Sequence, residues 1–275
     1  MFIRTLDSLE AAGRVKVLGN GSVRSARYLT AADGMGFSYN DNRIAKGADV
    51  GLWYKHHWEA NFIVAGRGEV TDLTTGQSWA LEPGALYVVG PNDRHRLRTI
   101  EDVHLVSIFC PALRGDESHD ADGAYSPSGP IPKTDRRMFV KRADEMRRAG
   151  KEMVVANGRA RTLRMLVQAD DLGFGLSDVH LAPGADAVLW YKHHWEANHI
   201  LAGAGEVTDL TTGEASKLAP DVAYNVGPRD RHRLRATGDL HLLSVFCPAP
   251  RGDEQHDAEG TLPPSGPVPP GPASS

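Results

Sequence analysis

Histidine is the residue type whose placement in this chain points first to chemistry. The 275 residues include 12 histidines, and imidazole is both a common metal ligand and an acid–base group near neutral pH. Ten of them form five pairs separated by 137 residues, and these pairs are His56/His193, His57/His194, His95/His232, His104/His241 and His119/His256. His180 and His199 have no histidine counterpart. One set of five histidines, present twice, must therefore be positioned by two copies of the same structure.

The same offset relates nearly the whole chain to itself. Leu52–Asn61 recurs letter for letter at Leu189–Asn198, and Asp93–Arg98 recurs at Asp230–Arg235. Because 137 is about half of 275, the repeat is a duplicated domain and not one of the short units of a solenoid.

Domain boundaries follow from this register. Met138–Lys141 echoes the chain start Met1–Arg4, so the second copy begins at Met138. The segments before it and at the chain end are rich in Pro, Gly and Ser and have too few apolar residues to pack. We predict domains at 1–124 and 138–261, a linker at 125–137 and a disordered tail at 262–275.

Each copy has the pattern of a β-protein. Short apolar runs such as Phe62–Ala65 and Leu105–Phe109 are separated by turns containing Gly and Pro. Helix is predicted mainly near 5–12 and 143–152. Many short strands with such turns favour an all-β fold, either a sandwich or a small jelly-roll barrel in each half.

Composition excludes several classes of function. The net charge is −4, from 31 Lys+Arg and 35 Asp+Glu, so a nucleic-acid partner is not expected. Two cysteines, Cys110 and Cys247, exclude a disulfide scaffold and a Cys-rich zinc site. No apolar run approaches the ~20 residues of a membrane span, and the first residues lack signal-peptide features. We predict a cytoplasmic protein that binds a small molecule and has no membrane partner.

Two short motifs in each copy resemble those of cupin barrels. The first ends in a Glu followed seven positions later by a Gly, as in Glu59 and Gly66. The second has a turn at Gly84 and then Tyr87, where cupins usually have a histidine. The resemblance implies a bicupin, which is two cupin-type jelly-roll β-barrels in tandem. Because cupin domains commonly pair, we predict that the two halves form an intramolecular pseudo-dimer.

The paired histidines of the first cupin motif are absent, so a three-His-one-Glu metal site is incomplete. The remaining candidate ligands recur at equal spacing in both copies, and they are Glu59, Tyr87, His95, Glu196, Tyr224 and His232. Carboxylate, phenolate and imidazole suit Fe²⁺, with Mn²⁺ or Zn²⁺ as alternatives. Core packing for Tyr87 and surface positions for Glu59 and His95 are the competing interpretations.

Each copy also resembles the ectoine synthase family of cupin-fold cyclodehydratases. The resemblance rests on an ordered series of motifs, which are Asp33-Gly34, Tyr54-Lys55-His56-His57-x-Glu59-Ala60, Gly66-x-Gly68-Glu69-Val70, Pro83-Gly84-x-x-Tyr87, Asp93-x-His95-x-Leu97-Arg98, Phe109-x-Pro111 and Gly115-x-Glu117-x-His119. Together they cover nearly all of residues 1–124. The family is normally a single domain, so the duplication is a departure.

The resemblance implies roles for further side chains and iron bound through Glu59, Tyr87 and His95. The catalytic residues that it implies are Tyr54, His57, Glu117 and His119. The substrate-binding residues that it implies are Arg27, Asn40, Asn42 and Phe109 in the first copy and Tyr191, His194 and Phe246 in the second. Without the resemblance, the competing interpretations are a surface charge at Arg27 and a solvated loop around Glu117 and His119.

The reaction of this family closes N-γ-acetyl-diaminobutyrate into the ring of ectoine with loss of water. A Lewis-acidic metal suits polarisation of the acetamide carbonyl. The free α-amine attacks that carbon, and a general acid helps the oxygen leave. We predict a metal-dependent hydro-lyase that forms a cyclic amidine from this substrate or a close analogue. The alternatives are a cupin enzyme acting on another amino-acid-like substrate and a non-catalytic bicupin that binds a metal or a small molecule.

The two copies are not equal. Ser177 replaces Asn40 and Val179 replaces Asn42, so the second copy loses polar groups from the predicted pocket. The candidate metal ligands persist in both. We therefore predict that both copies bind metal and that the first is the better match for the family reaction.

Overall fold

The computed structural model describes residues 1–18, 21–155 and 158–272. Two compact units make up the chain. The first unit is formed by Leu9–Glu145, and the second unit combines Met146–Gly271 with the chain start, Met1–Ser8. Among the described residues, no helix has the length and apolarity needed to cross a bilayer.

Strands dominate the first half of the chain. Its elements are β1 (Phe2–Thr5), α1 (Leu6–Ala11), β2 (Val15–Leu18), β3 (Val23–Leu29), β4 (Ser38–Ile44), β5 (Asp49–Leu52), β6 (Trp58–Ala65), β7 (Gly68–Asp72), β8 (Ser78–Leu81), β9 (Ala85–Val89), β10 (His95–Thr99) and β11 (Val103–Cys110). Short 3₁₀ turns such as Ala31–Asp33 join some of them. The helix expected near 5–12 is confirmed as α1.

The second half repeats the pattern. Its elements are β12 (Phe139–Arg142), α2 (Ala143–Arg148), β13 (Glu152–Val155), β14 (Ala160–Leu166), β15 (Gly175–Leu181), β16 (Asp186–Leu189), β17 (Trp195–Asp209), β18 (Ala215–Leu218), β19 (Val222–Val226) and β20 (His232–Cys247). The helix expected near 143–152 is confirmed as α2. β17 and β20 each cover a region that is two strands in the first half.

Antiparallel sheets form the framework of each unit. In the described part of the first unit, seven strands are ordered β12-β9-β6-β11-β4-β3-β2 and four are ordered β5-β10-β7-β8. In the second unit, the main path is β1-β19-β17-β20-β15-β14-β13, with β16 on β20 and β18 on β17. The all-β architecture predicted from the short apolar runs is confirmed.

Side-chain alternation explains how the strands enclose a core. In β10, His95, Leu97 and Thr99 are buried while Arg96 and Arg98 are exposed. This period of two places the three buried side chains on one face of the sheet. The interior of the first unit therefore contains His95 among its apolar side chains.

A glycine makes the turn that connects β6 to β7. Gly66 has φ of 83°, and a Cβ atom at this position would lie 2.0 Å from the carbonyl oxygen of Asp102. Gly203 is in the same situation, with a Cβ position 1.6 Å from the Asp239 oxygen. The Gly of the first cupin-like motif is thus required by close backbone approach.

The N-terminal strands do not join the sheets of their own repeats. β1 pairs with β19, with Ile3 opposite Tyr224. β12 pairs with β9, with Val140 opposite Tyr87. Each compact unit thus contains a strand from the other sequence repeat, an arrangement that differs from the predicted boundaries at 1–124 and 138–261. β1 and β12 offer the same backbone hydrogen bonds. The repeat in the sequence therefore does not determine which of the two strands pairs with β9 and which pairs with β19.

This exchange predicts that an edge-strand substitution acts on the unit of the opposite repeat. Ile3 and Val140 pack against the cores of the second and first units, respectively. Ile3→Asp is expected to destabilise the second unit by about 2 kcal/mol, because it loses apolar burial and places a charge at the core edge. Hydrogen-exchange mass spectrometry should show loss of protection in β19 and not in β9.

Val140→Asp is the matched control for this prediction. It should lower protection in β9 and leave β19 unchanged. If Ile3→Asp instead affected β9, or if both variants affected both strands equally, the assignment of β1 to the second unit would be contradicted.

The segments predicted as a linker and as a disordered tail pack where the structure describes them. The indole Nε1 of Trp58 donates to the Pro132 carbonyl at 3.2 Å, and that of Trp195 donates to the Pro269 carbonyl at 3.0 Å. Leu262 is 2% exposed. This differs from the expectation for the tail, because buried indole N–H groups obtain their hydrogen-bond partners there. Residues 273–275 lie outside the described residues.

Candidate active site

A row of polar side chains crosses one face of the seven-stranded sheet. Residues paired directly on neighbouring strands point to the same face. The row runs through β3, β4, β11, β6 and β9, and its members are Arg27, Asn40, Ser107, Asn61 and Tyr87. All five are buried. Because Glu59 lies two positions before Asn61 on β6, it shares this face.

Glu59 is a buried carboxyl with one oxygen unpaired. It is 4% exposed, and Oε2 has no hydrogen-bond partner among the described residues. Burial raises its pKa to about 8, and the neighbouring side chains of Asn61 and Ser107 oppose this shift. Ser107 also donates to the Asn61 side-chain oxygen at 2.5 Å. The Ser107 proton is thus used on Asn61, and Glu59 Oε2 remains available to a ligand.

His95 reaches the same site from the four-stranded sheet. Its Nδ1 lies 3.2 Å from the Asp93 carbonyl oxygen, so Nδ1 carries the proton and donates it. Nε2 then has a lone pair, and it is buried without a partner in the described structure. Burial lowers the pKa of His95 to about 4. The imidazole is therefore neutral at pH 7, as a metal ligand must be.

Tyr87 lies between these two groups. Its ring centroid is 6.3 Å from that of His95, and Asn61, its pairing partner, contacts Glu59. Burial and then the Glu59 charge raise the pKa of Tyr87 well above its usual value. The three predicted ligands are thus brought to one buried site, where Glu59 Oε2 and His95 Nε2 lack partners in the part of the chain that the structure describes. A divalent cation matches this need, because it would satisfy both atoms and favour an ionised carboxylate.

An aromatic wall borders this group. Tyr54 lies in the loop between β5 and β6, and its ring is 6.0 Å from that of His95. Phe109, which is paired with Glu59 across β6 and β11, packs edge-on against Tyr54 at 5.5 Å. Because Tyr54 is outside any strand, strand parity does not determine its direction. The fold thereby places both predicted pocket residues beside the candidate ligands.

Side chains of the segment predicted as a linker contact two of the predicted catalytic histidines, His57 and His119. His57 Nε2 lies 3.0 Å from Ser128 Oγ, and its Nδ1 is buried without a partner among the described residues. Burial lowers the pKa of His57 to about 4. His119 stacks on Tyr125 at 4.2 Å, and its Nε2 is 3.1 Å from the Tyr54 hydroxyl. Residues beyond 124 thus complete the site.

Arg27 and Glu117 form a buried ion pair beside the polar row. Arg27 Nη1 is 3.5 Å from Glu117 Oε2, and the two side chains are 2% and 0% exposed. Nη2 donates to the Glu117 carbonyl at 3.1 Å. The carboxylate also accepts from the backbone amides of Arg114 at 2.5 Å and Gly115 at 2.8 Å. Glu117 is therefore fully engaged, whereas Arg27 Nε and Nη1 have no hydrogen-bond partner in the described structure.

Asn40 and Asn42 complete the predicted polar set of the first unit. Asn42 donates to Ser107 Oγ at 2.9 Å, which joins it to the hydrogen bonds around Glu59. Asn40 is 3% exposed and is paired with Ser107. Asn42 thus joins the row through a hydrogen bond, whereas Asn40 belongs to it through strand pairing.

The second unit repeats the site around a cavity of about 550 Å³. The side chains that correspond to the polar row line it, and they are Arg164, Ser177, Ser244, Asn198 and Tyr224. Glu196, Tyr191 and Phe246 line it as well. Val179, in place of Asn42, gives this cavity an apolar wall.

The remaining predicted residues of the second unit reproduce the same contacts. His194 Nε2 lies 3.0 Å from Ser265 Oγ, and the Tyr191 hydroxyl lies 2.9 Å from His256 Nε2. Glu196 Oε2 and His232 Nε2 are again buried without partners in the described chain. Burial raises the pKa of Glu196 to about 7.

Four side chains at the site were not predicted from the sequence. Asn61 shares the parity of Glu59 on one strand, and Ser107 is a lone polar residue in an apolar run, so these two patterns were sufficient to identify them. Tyr125 and Ser128 lie in a segment whose composition is typical of a linker. No local pattern indicates that this segment folds back onto the histidines.

Each repeat is similar in sequence to known proteins of one family. The chain matches the family model for ectoine synthase over residues 1–129 and again over 138–265. L-ectoine synthase of Halomonas elongata is 37% identical over 128 residues, which are 46% of this chain and 93% of that protein. L-ectoine synthase of Teredinibacter turnerae is 40% identical over 125 residues, which are 46% of this chain and 95% of that protein.

Solved structures identify the fold. Oxalate decarboxylase from Bacillus subtilis superimposes with a TM-score of 0.64 at 14% identity, covering 91% of this chain and 77% of that one. A cupin 2 conserved barrel domain protein from Leptotrichia buccalis gives a TM-score of 0.56 at 10% identity, covering 90% and 96%. At these identities the likeness concerns the fold alone, and it confirms the cupin architecture. The chain is thus a tandemly duplicated, cupin-fold member of the ectoine synthase family, an enzyme of the lyase class.

Proposed function

We propose that the chain catalyses the dehydrative cyclisation of N-γ-acetyl-diaminobutyrate or a close analogue, mainly in the first unit and with a bound divalent metal ion. The observation that carries this proposal is the buried polar row around Glu59 Oε2 and His95 Nε2, two unpartnered ligand atoms in a chain of this family. The substrate supplies an acyl carbonyl and a free amine, and the product is a cyclic amidine.

The metal is assigned to Glu59, Tyr87 and His95, with Fe²⁺ as the proposed ion. When bound, such an ion supplies Lewis acidity toward a carbonyl oxygen. The donor set of carboxylate, phenol and imidazole supports a hard-to-borderline dication such as Fe²⁺ or Mn²⁺. Asn61 and Ser107 are the polar neighbours of this carboxyl, in the place where metal ligands commonly have hydrogen-bonding groups.

Arg27 is proposed to bind the substrate carboxylate. Its guanidinium is buried, its charge is only partly matched by Glu117 at 3.5 Å, and Nε and Nη1 lack hydrogen-bond partners among the described residues. A substrate carboxylate would accept a charge-assisted hydrogen bond from either of these two donors. Glu117 is assigned to positioning Arg27, since its own oxygens are occupied by backbone amides.

Proton transfer is assigned to His57 and Tyr54. In the tautomer in which His57 Nε2–H donates to Ser128, the buried Nδ1 is a free base for a proton of the attacking amine. The Tyr54 hydroxyl, backed by His119 Nε2, is the proposed acid at the leaving oxygen. The oxygen leaves as one water molecule with two protons, and the two protons that the amine loses replace them, one of them restoring the Tyr54 hydroxyl. The aromatic wall around Phe109 excludes solvent and holds the amine near the carbonyl.

The direct test is an assay of the purified full chain with Fe²⁺ and N-γ-acetyl-diaminobutyrate, with product formation followed by NMR. Appearance of ectoine supports the proposal. Absence of product together with tight binding of this compound indicates a close analogue as the substrate. Absence of both turnover and binding overturns the proposed function.

Metal binding at the proposed ligands predicts proton release. The metal-free protein at pH 6 holds Glu59 protonated, because its pKa is about 8, and holds His95 neutral, because its pKa is about 4. Binding is therefore expected to release about one proton per ion, and affinity is expected to rise from pH 6 to pH 8. Calorimetric titration in two buffers of different ionisation enthalpy measures the number released.

The same titration of Glu59→Gln is the control, because glutamine carries no titrating proton. Release of two protons by the native site would indicate that Tyr87 binds as a phenolate. Metal binding with no proton release would show that Glu59 is not a ligand.

A further inference from the structure

The second unit carries a cluster of side chains on the face of its sheet opposite the candidate active site. Asp178 and His180 belong to β15, and they alternate with Ser177 and Val179, which line the cavity. Successive strand residues point to opposite faces. His241 on β20 is the direct pairing partner of His180. The cluster of Asp178, His180 and His241 is therefore separate from the ligands proposed above.

The three side chains direct their polar atoms at one point. His241 Nε2 lies 2.6 Å and His180 Nε2 lies 3.4 Å from Asp178 Oδ1. The two imidazole rings are stacked, with centroids 3.9 Å apart and planes at 16°. The three ligand atoms all lie within 4.8 Å of one another. Two imidazole nitrogens and a carboxylate oxygen at such separations form a facial set typical of Zn²⁺ and similar transition metal ions.

We propose that Asp178, His180 and His241 form a binding site for a divalent transition metal ion of the zinc class. The side chain of Asp178 is 3% exposed, whereas those of His180 and His241 are 43% and 27% exposed. Both histidines also line a surface cavity of about 240 Å³. The ion thus has a buried carboxylate on one side and an open path to solvent on the other, where water completes its coordination.

Arg147 fixes the carboxylate of this site. Its Nη2 donates to Asp178 Oδ2 at 2.5 Å, so the arginine occupies the oxygen that does not face His241. Arg147 also pairs with Glu152 at 2.9 Å and lies 3.4 Å from His180 Nε2. A metal ion replaces this last contact and the His241 hydrogen bond to Oδ1, and the His241 proton moves to Nδ1. Arg147 remains on Oδ2 and orients the ligand, as groups hydrogen-bonded to metal-bound carboxylates do.

The first unit provides an internal comparison. It keeps the pair His104 and Asp41, with 2.6 Å between Nε2 and Oδ2, but Arg43 stands in place of His180. Arg43 contacts Asp41 Oδ1 at 3.3 Å and cannot ligate a metal, because guanidinium remains protonated in proteins. In the first unit a guanidinium thus lies on the Asp41 oxygen that does not face His104, and the residue that corresponds to His180 supplies no ligand atom. The site is a property of one copy only.

The test compares zinc binding by the untagged full chain and its His180→Arg variant, which restores the residue found in the first unit. Equilibrium dialysis at pH 7.5 is expected to show one fewer Zn²⁺ bound per chain in the variant. His180→Gln, a neutral substitution, should lose the same equivalent, and circular dichroism checks that both variants are folded. Because the measurement is a difference, Zn²⁺ held at the proposed active sites cancels.

Chemical modification locates the ion. In the native chain, Zn²⁺ is expected to protect His241 and His180 from diethyl pyrocarbonate, as mapped by peptide mass spectrometry. Equal zinc stoichiometry in the native chain and both variants, or unprotected His180 and His241 at saturating Zn²⁺, would overturn the proposal. Cyclisation activity is expected to remain unchanged in His180→Arg, so failure of this site is distinguishable from failure of the proposed function.

Discussion

Glu59→Gln is expected to lower turnover by about 100-fold or more, whereas Glu196→Gln retains at least about half of the native rate. Glutamine keeps the shape of Glu59 and its contacts with Asn61 and Ser107 but removes the anionic ligand. The difference between the two variants follows from the polar row, because Asn40 becomes Ser177 in the second unit. Steady-state kinetics of both purified full-length variants measure it.

Metal content and folding are the controls for this pair of variants. Each is expected to bind one Fe²⁺ fewer than the native chain, as determined by elemental analysis. If Glu59→Gln instead kept half of the native activity, the two units would be equally active. Full activity in the double variant would contradict both sites.

The pH dependence of the free energy of unfolding shows whether Glu59→Gln loses only a metal ligand or also misfolds. Burial raises the pKa of Glu59 from 4.5 to about 8, so its protonated form stabilises the metal-free fold below pH 4.5. This contribution, about 4 kcal/mol, is lost as the pH rises to 8. Glutamine does not ionise, so the metal-free Glu59→Gln variant does not lose this contribution. The variant is expected to be more stable than the metal-free native chain at pH 8. The lowered pKa of His95 changes stability with pH in the opposite direction. Because both proteins contain His95, its effect cancels in the difference between them.

Arg27→Met is expected to raise KM by about 100-fold and to lower the free energy of unfolding by about 3 kcal/mol. The first effect follows from losing the donors proposed for the substrate carboxylate. The second follows because the carboxylate of Glu117, whose side chain is fully buried, loses its countercharge. Substrate titrations and urea denaturation measure the two effects separately.

The double variant Arg27→Met with Glu117→Gln distinguishes binding from packing. It removes both charges, so part of the lost stability should return while KM stays high. Arg164→Met is the matched control in the second unit, where we expect the smaller effect on KM. Recovery of KM in the double variant would show that Arg27 acts only through Glu117.

Much of the framework could be predicted from local patterns. The short apolar runs identified β6 and β11, and the alternation of His95, Leu97 and Thr99 with two arginines agrees with the inward His95 that the structure shows. The position of Tyr54 could not be predicted in this way, because it lies in a loop where parity has no meaning. The contacts of His57 with Ser128 also escaped prediction, since a Pro/Gly/Ser-rich composition does not reveal what a segment packs against.

By itself the sequence determined that one cupin-like unit is present twice, that its family is that of ectoine synthase, and that Glu59, Tyr87 and His95 recur at constant spacing. These conclusions rest on residue identity and period, which are local properties of the chain. Only the tertiary structure decided that β1 completes the sheet of β19, that Glu59 Oε2 and His95 Nε2 have no partners among the described residues, and that His180 meets His241. Strand pairing joins residues far apart in sequence through backbone groups that are nearly the same for every residue, so side-chain identity alone does not specify the partner.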